Sequence, residues 1–215
     1  MSLEVAQLPL GAYQSNCYVV RRPGAGEAVV VDPGWPGESP RILATLGGAV
    51  CVGILVTHGD IDHVAGVAEL VDVTGAPVHM PAAEQERLER PNDFLPPGVV
   101  ASLRPHVPEV PLRGDERLRL AGIDFQTLQV PGHTAGHLAF AADGCLFSGD
   151  VLFAGSVGRY DRPGASWEEL SASIGMLVER LPPETVVYPG HGPATTLERE
   201  LAANPFLAEL RAGLP

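Results

Sequence analysis

The apolar run Cys51-Val52-Gly53-Ile54-Leu55-Val56 breaks off into Thr57-His58-Gly59-Asp60-Ile61-Asp62-His63-Val64-Ala65-Gly66, and this junction constrains the chain more than any other stretch. The run reads as a buried strand, and Val64, Val67, Ala68, Leu70 and Val71 then recur at helical spacing. Two imidazoles and two carboxylates therefore fall in a strand-to-helix turn, where the backbone is not periodic and unequally spaced side chains can converge. Nitrogen and oxygen donors without a thiolate suit a borderline divalent metal. The competing reading is an acidic helix cap with two incidental histidines.

The remaining histidines weigh against that competing reading. Of the chain's seven, His133, His137 and His191 lie in Gly-rich turns beside expected strands: Pro131-Gly132-His133-Thr134-Ala135-Gly136-His137 and Pro189-Gly190-His191-Gly192-Pro193. Between them Ser148-Gly149-Asp150 ends the strand Cys145-Leu146-Phe147. Ionisable groups emerging repeatedly at strand ends are what a metal site assembled from several loops requires.

On these residues the chain resembles the metallo-beta-lactamase-fold hydrolases, and within them the short glyoxalase II-like branch. The matching pieces are Asp32-Pro33-Gly34, the His58 to His63 segment, Pro131 to His137, Phe147-Ser148-Gly149-Asp150, Val157-Gly158-Arg159, Pro189 to Pro193 and Asn204-Pro205-Phe206-Leu207. The resemblance implies an α/β fold, a four-layer alpha-beta-beta-alpha sandwich, over residues 1–215 as one domain. It also implies that His58, Asp60 and His133 hold a first metal and Asp62, His63 and His191 a second, with Asp150 bridging them. Asp32 and His137 are then supporting residues behind the ligands. Two divalent ions are expected, zinc foremost, with iron or manganese as the alternatives at the Asp60 position.

Asp60 is the departure from the family pattern, which has His there. A carboxylate adds charge and a harder donor, giving three carboxylates, Asp60, Asp62 and Asp150, to one small cluster. The resemblance implies a metal-held hydroxide attacking a hydroxyacyl thioester, with Asp62 and Asp150 as the catalytic carboxylates. Arg159, Tyr160 and Arg162 are candidate contacts for a substrate carboxylate. In the absence of the longer C-terminal helical extension of larger glyoxalase II enzymes, recognition would rest on the 92–111 loop and the Arg159 region. The alternatives are a mononuclear iron persulfide dioxygenase, a beta-lactam hydrolase, or an interaction module impaired by Asp60.

Composition narrows the partners. The net charge is -12 and all 14 basic residues are Arg, so phosphate-backbone binding to nucleic acid is disfavoured. No apolar run approaches the roughly 18 residues that span a bilayer, and no leader is evident, so a cytoplasmic protein is expected. Cys17, Cys51 and Cys145 lack ligand spacing and read as core thiols. His79 and His106 fall outside the ligand turns and read as packed or surface histidines.

Further elements follow from local signals. Ser39-Pro40 predicts a capped helix ending at Gly47. A solvated helix is expected over Ala82 to Arg90 and a loop over Asn92 through Pro111, flanking the active site. Ser166-Trp167-Glu168-Glu169 has capping-box spacing before a helix with Leu170, Ile174, Leu177 and Leu181 on its apolar side. Val186 to Tyr188 is expected to be the final strand, and Glu198 to Leu210 a closing helix bent at Pro205.

Overall fold

A computed structural model describes residues 2–96, 98–208 and 210. The first sheet runs in chain order through β1 (Glu4–Leu10), β2 (Ser15–Arg21), β3 (Glu27–Val31), β4 (Val50–Leu55), β5 (Val78–Pro81) and β6 (Val110–Leu112). β1 to β3 are antiparallel neighbours, and β3 to β6 are parallel. The second sheet contains β7 (Arg117–Leu120), β8 (Ile123–Gln129), β9 (Leu138–Ala142) and β10 (Cys145–Gly149). A hairpin of β11 (Leu152–Phe153) and β12 (Ser156–Val157) follows, and β13 (Val186–Pro189) and β14 (Thr195–Thr196) complete the sheet in the order β14-β13-β10-β9-β8-β7.

Residue alternation explains the layering, because successive strand side chains point to opposite faces. Tyr18, Val20, Val29 and Val31 face the second sheet and pack with Phe125, Phe140 and Phe147. Their neighbours Cys17, Val19, Ala28 and Val30 face outward, onto Ile42 and Leu46 of α1 (Ser39–Leu46) and Val67 and Leu70 of a further helix. On the other side Leu128, Ala139, Leu146 and Val187 pack against Leu170, Ile174 and Leu177. The result is the expected alpha-beta-beta-alpha sandwich with three apolar seams. Each fully buried phenylalanine contributes roughly 1.5–3 kcal/mol relative to exposure. Cys17, Cys51 and Cys145 are buried free thiols, as expected.

The helices depart from the expectations in local ways. The segment after the first ligand turn splits into α2 (Ile61–Val64) and α3 (Val67–Thr74). Gly66 lies between them against the 33–35 turn, donating its N–H to the Gly34 carbonyl at 2.7 Å. Ser39 is not the cap of α1: Glu38 occupies that position, and the Ser39 hydroxyl instead donates to Glu69. Gly47 does terminate α1 in the left-handed conformation. Ala82 to Glu84 form a 3₁₀ turn before α4 (Gln85–Glu89), and Glu84 is buried rather than solvated.

The cap of α5 (Trp167–Arg180) is as expected, Ser166 accepting the Glu169 N–H at 3.2 Å. The closing segment is α6 (Leu197–Ala203), broken at buried Asn204 before a 3₁₀ turn over Pro205–Leu207. Val186 to Tyr188 is not the last strand, since β14 pairs with it antiparallel. Among the described residues, no helix is long and apolar enough to cross a membrane.

Candidate metal centre

All the ligand-bearing turns leave one end of the sandwich. β3 delivers Asp32, β4 His58, β8 His133, β10 Asp150 and β13 His191. The two sheets are tied together there: the Asn16 N–H donates to the Gly190 carbonyl at 2.7 Å, and the Tyr18 hydroxyl donates to the Pro189 carbonyl at 2.6 Å. Ser15 Oγ donates to the Asp62 carbonyl at 2.6 Å. Two glycines permit the close approach. Gly149 has φ +51, and a Cβ on Gly190 would lie 2.0 Å from Asp150 Oδ1.

Buried Asp32 sets the histidine tautomers. Its Oδ1 accepts the Thr57 N–H at 2.8 Å, while Oδ2 accepts the Thr57 hydroxyl at 2.7 Å and His63 Nδ1–H at 3.0 Å. With its proton committed to Asp32, Thr57 Oγ1 accepts from His58 Nδ1–H at 2.9 Å. His133 Nδ1–H donates to the Arg159 carbonyl at 2.8 Å. All three rings therefore turn an Nε2 lone pair inward, the arrangement a ligand histidine needs. His137 behaves differently: its Nε2 accepts the Asp150 N–H at 3.1 Å and its ring stacks on His58 at 4.5 Å. It thus contacts the Asp150 backbone and the His58 ring, with Nε2 turned away from the donor sets. Burial, with His133 next, pushes its pKa down to about 3, so the ring is neutral.

Asp62, His63, His191 and Asp150 form one donor set. His63 Nε2 stands 3.7 Å from Asp62 Oδ2 and 3.5 Å from Asp150 Oδ1; His191 Nε2 stands 3.3 Å from Asp62 Oδ2 and 3.5 Å from Asp150 Oδ2. Ligands bound tetrahedrally at about 2.1 Å lie roughly 3.4 Å apart, so these spacings fit an ion. His63 Nε2 and Asp150 Oδ1 are buried without a hydrogen-bond partner, which is costly unless a cation satisfies them. Burial opposes charge on His191, but the Asp150 and Asp62 carboxylates outweigh it and raise its pKa to about 9. Burial likewise works against an ionised Asp150, yet His63 and His191 hold it well below the carboxylate range.

The Asp60 side of the cluster is built differently. Asp60 Oδ2 lies 3.2 Å from His133 Nε2 and 3.8 Å from His58 Nε2, so the expected first set does converge. Arg162 Nη2 enters it, 2.6 Å from Asp60 Oδ2 and 2.6 Å from His133 Nε2. Arg87 Nη1 approaches the other Asp60 oxygen at 3.3 Å. Against the cost of burial, the Arg162 guanidinium on Oδ2 holds the Asp60 carboxyl below the usual carboxylate range.

A cavity of about 710 Å³ opens over both sets, walled by Tyr13, Phe94, Phe153, Arg87 and Arg159. Leu95 and Pro96 place part of the expected flanking loop on it. Of the three candidate substrate contacts, Arg159 and Arg162 line the cavity. Tyr160 does not: its ring turns onto Trp167, with centroids 5.1 Å apart.

Sequence reasoning missed Glu84 and Arg87. The Glu84 carboxylate accepts the N–H of Gly59 at 3.1 Å and of Gly136 at 3.0 Å, clamping the two histidine loops together. Their three-residue spacing on one helical face was the available signal. His79 is buried on β5 and His106 pairs with Glu109, both outside the cluster.

A sandwich whose sheet ends converge imidazoles and carboxylates under an open cavity is an alpha-beta-beta-alpha scaffold with groups that could hold a metal. The chain belongs to the metallo-beta-lactamase superfamily, whose profile matches residues 10–191. It is 32% identical to hydroxyacylglutathione hydrolase GloC of Haemophilus influenzae, covering 96% of this chain and 98% of that one. Among solved structures it is similar to the BLEG-1 B3 metallo-beta-lactamase, with TM-score 0.87 and 33% identity over 95% of this chain and all of that one. It also resembles TTHA1623 in a di-iron-bound form, with TM-score 0.74 and 40% identity over 94% of this chain and 100% of that one.

Proposed function

We propose that the chain hydrolyses a small thioester of hydroxyacyl type. The observation that carries this reading is the geometry under the cavity: every carboxylate that lines it, Asp60, Asp62 and Asp150, belongs to one of the two converging donor sets, so none is set aside as a proton donor for a poor leaving group. A thiolate needs none, because its conjugate thiol has a pKa of about 8.5. The hydroxyacylglutathione hydrolase name of the Haemophilus influenzae relative supports the same class.

A divalent ion, when bound, would supply Lewis acidity, lowering the pKa of water and polarising a carbonyl oxygen. Asp62, His63, His191 and Asp150 would hold it, zinc in the first instance, with iron as the alternative that the di-iron-bound form of TTHA1623 supports. The chain's own residues do the rest. Asp32 holds His63 in the tautomer that keeps Nε2 free, and His137 fixes the backbone of Asp150. Asp62 and Asp150 are the carboxylates that accept a hydrogen bond from the attacking water and orient it. Tyr13, Phe94 and Phe153 line the space for the thiol portion. Arg159 faces a carboxylate on the substrate; its pairing with Asp161 is 68% and 64% exposed, so exchanging partners costs little.

Steady-state assays across thioesters of glutathione, coenzyme A and simple thiols test the reading. Cleavage that is abolished by a chelator and restored by the ion is expected. A rate no greater than that of the free ion for every thioester, together with oxygen uptake on a persulfide, would replace the hydrolase by the oxygenase.

A further inference from the structure

We propose that Arg162 is the resident cation of the His58–Asp60–His133 set, so that each chain binds one metal ion, in the Asp62–His63–His191–Asp150 set, and not two. The argument starts from lone pairs. His133 Nδ1–H is committed to the Arg159 carbonyl, leaving Nε2 a single in-plane lone pair. Arg162 Nη2 sits 2.6 Å from that nitrogen and can direct one N–H at it, and its other N–H at Asp60 Oδ2, also at 2.6 Å. One lone pair cannot serve both an N–H and an ion, so the guanidinium and a metal exclude each other at His133.

Position gives the same answer. Asp60 Oδ2 and His133 Nε2 are 3.2 Å apart. An ion bound to both at about 2.1 Å would lie no more than about 3.4 Å from Arg162 Nη2, whichever side it approached from. A divalent ion and a guanidinium, which stays protonated at any working pH, repel at that separation. Asp60 is also charge-satisfied without an ion, since Arg87 approaches Oδ1 while Arg162 holds Oδ2. The other donor set has no such competitor, since no arginine nitrogen lies within ion-pair distance of Asp62 or Asp150 among the described residues; unpartnered buried atoms do not separate the two sets, because His58 Nε2, which Arg162 does not reach, lacks a partner as His63 Nε2 and Asp150 Oδ1 do. Asp60 and Arg162 thus act as a matched pair: the carboxylate replaces an imidazole donor, and the guanidinium fills the place that the donor would have served. The group facing substrate on this side of the cavity is then a fixed guanidinium.

The test is metal content. Purified protein is stripped with chelator, reloaded with excess zinc, desalted and counted by elemental analysis for the parent, Arg162→Leu, Arg162→Gln and, as a control for lost positive charge, Arg159→Leu. Arg162 lies in a turn with a third of its side chain exposed, and circular dichroism verifies that each variant is folded. The parent and Arg159→Leu are expected to retain about one ion, and both Arg162 variants about two. A parent that retains any number other than one, Arg162 variants that remain at one, or an Arg159→Leu that also rises to two would overturn the proposal. Metal counts are indifferent to substrate, so this result and the fate of the thioester reading are scored separately.

Discussion

Replacing Asp32 by Asn probes how the site is held from behind. The two side chains have nearly the same shape, and Asn tolerates the left-handed backbone at this position, where φ is +47. The amide oxygen can still accept the Thr57 N–H, but its NH₂ would then face two donors, the Thr57 hydroxyl at 2.7 Å and His63 Nδ1–H at 3.0 Å. The cheapest relief is a tautomer change in His63, which moves its proton to Nε2 and blocks the metal lone pair. Losing such a support weakens ion binding about 10- to 100-fold, or about 1.4–2.7 kcal/mol. Competition titration against a chromophoric chelator measures this directly. Thr57→Val is the contrast, because the Thr57 hydroxyl supports His58, which belongs to the set that Arg162 occupies. That variant is expected to stay within about threefold of the parent, well short of the loss for Asp32→Asn. Unchanged affinity in Asp32→Asn, or an equal loss in both, would refute the reasoning.

Three further outcomes are expected. Glu84→Ala strands the N–H groups of Gly59 and Gly136, and urea unfolding of the metal-free protein should show a loss of about 2–4 kcal/mol. Gly190→Ala places a methyl group 2.0 Å from Asp150 Oδ1, so ion retention after desalting should fall roughly tenfold or more. The third concerns pH: His191 rises from 6.5 to about 9 because Asp150 and Asp62 outweigh its burial, so an ion must displace its proton. Affinity for zinc should therefore increase as pH rises from 6.5 to 9 in the same titration. In the metal-free protein the His191 contribution to stability is fully present below about pH 6.5 and is lost as pH rises through 9, which thermal melts in chelator will register.

What could be read from the chain followed from chemistry that only a few residue types perform. Histidines and carboxylates in turns after apolar runs gave the seven converging side chains, because strands of a sandwich end at common edges and ligands must leave from there. Alternating apolar positions in β2 and β3 gave the layers. The features that escaped depend on approach between distant segments. Glu84 read as solvated because its neighbours are charged, yet the Gly59 and Gly136 amides, 25 and 52 residues away, draw it inward. Ser39 read as a cap, but Glu69 on α3 captures its hydroxyl. Arg162 read as a substrate contact because its place between Asp60 and His133 spans 102 residues of sequence to one and 29 to the other. Tyr160 shares its turn and turns outward, a distinction that adjacent positions do not encode.

An anomalous difference map from crystals of the metal-loaded parent tests the centre most directly. Data are collected on both sides of the zinc edge, and of the iron edge if the protein is purified with iron. One peak per chain is expected, within bonding distance of Asp62, His63, His191 and Asp150, with Arg162 still between Asp60 and His133. A map with no peak at those four side chains, or with its peak bound by His58, Asp60 and His133 instead, would contradict the metal centre described above.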